Sequence, residues 1–143
     1  METKYKALIS SIEIENIFIE EVSFKRHSFP DPQKYPELSV NIASSKGKYS
    51  QSKSKLTINK NVVFKIDSKG LKNTKKTKIF ELNAVFTVVY NTKEKMTDEL
   101  FLIFDKKNVP INIHPYLREI IYNAMSRAGL PPVVIPVLKS FQG

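Results

Sequence analysis

The chain contains no cysteine and no tryptophan, and only four glycines in 143 residues. Without cysteine there are no disulfide staples, no thiolate metal ligands and no sulfur nucleophile. The composition suits a reducing compartment, and a cytoplasmic location is the expectation. The four glycines are scattered, so neither a phosphate-cradling loop nor a dinucleotide fingerprint can be built, and no cofactor is expected. Histidine is scarce as well. His27 and His114 lie in different segments and match no metal-ligand spacing, so no metal is expected. The apolar patch Ala7, Leu8 and Ile9 near the N-terminus is shorter than a signal peptide requires. No stretch reaches the roughly 20 apolar residues of a membrane span, so membrane insertion is not expected.

What is present is enough for a core. Hydrophobic residues make up 41% of the chain and include nine phenylalanines, which fits one domain over residues 1–143. No internal repeat is visible. The net charge of +9 is unevenly placed: residues 46–78 hold eleven lysines and one acid, Asp67. The rest of the chain is close to neutral. Such a segment either keeps exposed loops and strand edges soluble or attracts acidic partners.

Hydrophobic periodicity divides the chain in two. Over residues 12–25, Ile12, Ile14, Phe18, Val22 and Phe24 share one parity while Ile17 and Ile19 take the other. This is a strand with a bulge or two-sided burial near Asn16. Pro30, Pro32 and Pro36 mark a crossover loop over residues 26–37. Leu38, Val40 and Ile42 give a second strand. A polar, mobile connection is expected over residues 44–55. Leu56, Ile58, Val62, Phe64 and Ile66 mark a long third strand. Lys60 interrupts its apolar face, either snorkelling or marking a place where the sheet is uncovered. Residues 68–76 form a second polar loop. A fourth strand follows with Phe80, Leu82, Ala84, Phe86, Val88 and Tyr90.

The last third changes to helical spacing. A short helix is expected over residues 96–104. A longer one starts at Pro115, with the stripe Leu117, Ile120, Ile121, Ala124 and Ala128. Gly129 is placed as its C-terminal cap, and Pro131 and Pro132 stop it. Strands followed by helices mean an α+β fold: a four-stranded antiparallel sheet with a long helix packed on one face. The helical stripe and the two-sided first strand exceed what one small sheet covers, so a homodimer or homotetramer is expected.

Catalytic chemistry is missing. His27 lies near Ser28 and Asp31, but adjacency in sequence is not triad geometry. Glu13, Glu15, Glu20 and Glu21 fit the wet face of an antiparallel strand. No enzyme is expected.

The run Ile111-Asn112-Ile113-His114-Pro115-Tyr116-Leu117-Arg118-Glu119, continuing to Ser126-Arg127-Ala128-Gly129-Leu130-Pro131, resembles the export chaperone family SecB. The strand ending Glu20-Glu21-Val22-Ser23-Phe24 and the crossover Tyr35-Pro36-Glu37-Leu38 are similar to that family's front half. The resemblance implies an ATP-independent chaperone that holds unfolded polypeptide. It implies dimers pairing through their first strands and tetramers associating through the long helix at Leu117, Ile120, Ile121 and Ala124. By position, the client groove would be lined by Tyr35, Leu130, Val133, Val134 and Ile135. A surface for the translocase motor SecA would use Glu21, Ile79 and Glu81. Two departures accompany the match. The usual second long helix is not expected, because the sequence ends soon after Leu138. Lys25 stands where the family has an acid, and the basic field opposes SecA docking.

Two other readings are kept. SecB-like proteins also serve as dedicated chaperones of an antitoxin. A nucleic-acid-binding module would use the lysine-rich segment, but only Tyr49 and Phe64 supply aromatics there, too few for a stacking surface.

Overall fold

The computed structural model describes residues 2–29, 37–69, 76–131 and 135, with Glu37 and Lys69 described by their backbone alone. In chain order the elements are α1 (Glu2–Ser11), β1 (Glu13–Arg26), β2 (Glu37–Ser44), β3 (Lys48–Ser52), β4 (Lys55–Lys69), β5 (Thr77–Asn91), α2 (Asp98–Lys107) and α3 (Val109–Arg127). The sheet is antiparallel and ordered β1-β5-β4-β2, with β3 pairing β4 beyond the end of β2. The expected α+β class and antiparallel sheet hold. The sheet has five strands rather than four, because the polar connection at 44–55 contains β3.

β4 and β5 form the centre. Their inward residues, Leu56, Ile58, Val62, Phe64, Ile66, Phe80, Leu82, Ala84, Phe86, Val88 and Tyr90, are all buried. The alternation expected for these strands is therefore the alternation observed. α2 adds Leu100, Phe101 and Phe104 to this core, and α3 adds Ile113, Leu117, Ile121, Ala124 and Met125. Tyr90 is clamped between the layers. Its ring meets Phe104 edge-on at 5.1 Å, and its hydroxyl donates to Asn112 Oδ1 at 2.8 Å.

Two bulges explain the mixed parity of β1. Register shifts occur between Ile14 and Asn16 and between Ile19 and Glu21. As a result Ile14, Ile17, Ile19, Val22 and Phe24 oppose Tyr90, Val88, Phe86, Ala84 and Leu82. Cross-strand partners share a face, so all five point to the helical side. Phe18, opposite Thr87, points away.

α1 was not anticipated. Its signal is Tyr5, Leu8, Ile9 and Ile12 at helical spacing, which place one stripe on the core. Leu8 is fully buried, and the Tyr5 hydroxyl donates to Asn108 Oδ1. Leu8→Ala is expected to cost about 2–4 kcal/mol through the cavity it leaves, measurable as a lowered urea midpoint with unchanged slope.

α3 begins six residues earlier than expected, at Val109, with Pro110 in its first turn and Pro115 inside it. Pro115 removes one hydrogen bond, to the Ile111 carbonyl, yet both residues lie on an exposed part of the helix where water can serve that carbonyl. The expected C-terminus holds. Gly129 adopts φ +75°, its N–H donates to Ser126, and the Leu130 N–H donates to Met125. This is a Schellman cap.

Candidate functional site

The helices cover the central strands but not the flanks of the same sheet face. On β1, Ile14, Ile19, Val22 and Phe24 remain 39–46% exposed. On β2, Leu38, Val40 and Ile42 oppose Ser68, Ile66 and Phe64 and remain 37–40% exposed. Both are edge strands, and each leaves one row of backbone N–H and C=O groups without a strand partner among the described residues.

On the β2 side this apolar flank runs into a cleft of about 790 Å³. Ile42, Val62, Leu102, Ile103, Ile113 and Leu117 supply its apolar lining. Leu102 is itself 45% exposed. The polar part is built around Asp105 of α2. Its Oδ1 accepts from Lys60 Nζ at 2.8 Å and its Oδ2 from the Gly47 N–H at 2.9 Å. Lys60 and Asp105 are both buried. The interruption in the third strand's apolar pattern is therefore neither a snorkelling lysine nor an uncovered patch. It is half of an ion pair that ties α2 to β4 and to the start of β3. Gly47 is required at its place. A Cβ there would meet Asp105 Oδ1 at 2.6 Å and the Asn59 carbonyl at 3.2 Å. Gly47→Ala should lower stability by about 1–3 kcal/mol, read from thermal unfolding.

The sequence-expected groove residues divide. Tyr35, Val133 and Val134 lie outside the described residues. Leu130 and Ile135 are buried against the chain's own core. Ile135 is held there by its N–H, which donates to the Tyr122 hydroxyl at 3.0 Å. That bond and one to Arg118 hold the Tyr122 phenol below its usual pKa. Tyr122→Phe removes the acceptor of the Ile135 N–H, and exchange of the Ile135 amide should be faster in this variant.

The helical interface residues expected at Leu117, Ile120, Ile121 and Ala124 lie on α3, against the sheet. Leu117, Ile121 and Ala124 are covered within one chain, and Ile120 is half-buried. Of the expected motor-docking surface, Glu21 is exposed and lies opposite Val85, on the outer face. Glu81 lies opposite Lys25 and 3.8 Å from His27. Ile79 is buried and offers no surface. Beside His27, the Ser28 hydroxyl donates to the Lys78 carbonyl at 2.8 Å, and Asp31 lies outside the described residues. Among the described residues, no group of three His, Asp or Glu is placed to hold a metal, and no helix is long and apolar enough to cross a membrane.

Edge strands with exposed apolar flanks beside an apolar-lined cleft give this α+β fold a surface suited to binding. The family model for preprotein translocase subunit SecB matches residues 6–140, and the chain belongs to the SecB family of chaperones. Among solved structures it is similar to the SecB-like chaperone Rv1957 of Mycobacterium tuberculosis, in complex with a ChAD peptide from the Rv1956 HigA1 antitoxin. The TM-score is 0.78 at 16% identity, covering 98% of this chain and 99% of that one. It is more distantly similar to a protein of unknown function from Streptococcus agalactiae, with a TM-score of 0.45 at 10% identity over 87% of this chain and 96% of that one. No curated protein sequence matches it.

Proposed function

We propose that this chain is an ATP-independent holding chaperone that keeps unfolded polypeptide on the β2 flank and its cleft. The observation that carries the reading is the exposed row Leu38, Val40 and Ile42 on an edge strand, continuous with the apolar cleft lining. An unfolded client presents apolar side chains and unpaired backbone groups. The β2 edge can accept the backbone as an added strand while alternate side chains enter the cleft. Each Å² of apolar surface removed from water contributes about 25 cal/mol.

In this reading the β1 flank serves self-association. β1 carries Glu13 and Glu15 at its start and Lys25 and Arg26 at its end. Antiparallel pairing of two copies sets acids opposite bases. Glu20, near the middle, already accepts from the Thr87 hydroxyl at 2.8 Å. The dimer so formed multiplies affinity by holding several client stretches at once. The cytoplasm, where preproteins are held before export, is the compartment that fits. Docking to SecA is not part of this reading, because Glu81 faces Lys25 and His27.

The test is suppression of aggregation of a chemically unfolded protein without nucleotide. Ile42→Asp and Leu102→Asp each put a charge where a client's apolar group must be desolvated. Both sites are exposed in the free chain, so the variants should fold. Each should weaken client binding by about tenfold, roughly 1.4 kcal/mol. Full protection by both folded variants would remove the cleft from this role. A dedicated antitoxin client is the second reading, supported by the end-to-end likeness to a chaperone solved with an antitoxin peptide. Co-purification from its own cell separates the two: one antitoxin, or many unfolded precursors.

A further inference from the structure

The free charges at the mouth of the β2 cleft are of one sign. Lys46 approaches from the β2–β3 connection, and Lys106 and Lys107 from the end of α2. The acid among the described lining residues is Asp105, and Lys60 neutralises it at 2.8 Å. Bases in the last turn of α2 also have an ordinary role against the helix dipole. That role does not account for Lys46, which comes from another part of the sheet and converges on the same opening.

Resting on the holding reading above, we infer that the cleft selects client segments in which an apolar stretch is flanked by aspartate or glutamate. The apolar lining takes the centre of the segment. The three lysines receive the carboxylates at its ends. Rim charges act on encounter and on the choice among clients more than on the strength of the apolar contact. The preference should therefore be salt-sensitive while the apolar contact is not.

Three fluorescent peptides with one shared apolar centre test this, their flanks being acidic, neutral or basic. Anisotropy would be read at about 0.01 M and about 0.15 M salt, where the Debye length falls from about 30 Å to about 8 Å. The acidic peptide should bind about tenfold tighter than the neutral one at low salt, the basic one more weakly than either, and the gaps should narrow with salt. Lys46→Gln/Lys106→Gln/Lys107→Gln should bring the three within about twofold of one another and leave the neutral peptide unchanged. Circular dichroism confirms that this variant folds, as exposed and half-buried lysines allow. Equal binding of all three peptides by the parent would overturn the charge preference and leave the holding reading standing. Binding of none would overturn both. Displacement of the acidic peptide by a single-stranded RNA oligonucleotide of higher affinity would make nucleic acid the occupant and overturn the peptide assignment.

Discussion

Replacing Asp105 by alanine is expected to destabilise the chain by about 3–5 kcal/mol, a large share of the 5–15 kcal/mol that holds an ordinary domain folded. The substitution leaves the Lys60 ammonium buried without its counter-ion and the Gly47 N–H without its acceptor. Neither group reaches water, because Lys60 is 4% exposed and Gly47 is buried. Removing both charges is a different experiment. Lys60→Met with Asp105→Leu removes both charges and leaves the buried Gly47 N–H without an acceptor, so it should cost about 1–3 kcal/mol, less than Asp105→Ala alone. Urea denaturation of the parent, Asp105→Ala and the double variant measures the difference. The Asp105→Ala and Gly47→Ala costs should not add, since both act on one carboxylate. A loss below about 1 kcal/mol for Asp105→Ala would show that the pair is solvated in solution and does not tie α2 to the sheet.

Ile19→Asp with Phe24→Asp is expected to convert an oligomer to a 16.4 kDa monomer at micromolar concentration. Both side chains point to the helical side of β1 and are 46% and 44% exposed in one chain. If two copies meet through β1 about a two-fold axis, each substitution appears twice in the interface. Four carboxylates then replace four apolar contacts, and association should weaken by more than a hundredfold, roughly 2.7 kcal/mol or more. The fold itself should persist, since neither residue belongs to the buried core. Light scattering with circular dichroism reads both. An oligomer that survives the double change has its interface elsewhere, and a parent that is already monomeric removes the self-association assigned to β1.

The central strands were legible because their constraint is local. β4 and β5 alternate strictly, and a strand buried on one face can only be read one way. The Gly129 cap was legible for the same reason, since its conformation depends on the residues beside it. Pro115 misled because proline suits a helix start by local preference, whereas the core contacts of Val109 and Ile113 favour extending the helix through it. α1 carried a readable stripe, but ten residues with no tertiary partner in view give only a marginal helix.

The site was less legible than the fold. The family resemblance drew attention to Leu130 and Ile135, which one chain already buries, and gave no notice of Leu102 or Asp105. By itself, the sequence determined the α+β class, the paired central strands and the capped helix. The bulge near Asn16 was one of two readings the sequence left open; tertiary structure chose it and added a second between Ile19 and Glu21, turning Ile14, Ile17, Ile19, Val22 and Phe24 to one face. Tertiary structure also decided that Lys60 meets Asp105 from 45 residues away. Lys46 and the α2 lysines came to share one cleft in the same way. The physical reason is that periodicity records which face of an element leaves water, while the charge partner of a buried group and the neighbours of an exposed one depend on how elements distant in sequence pack together.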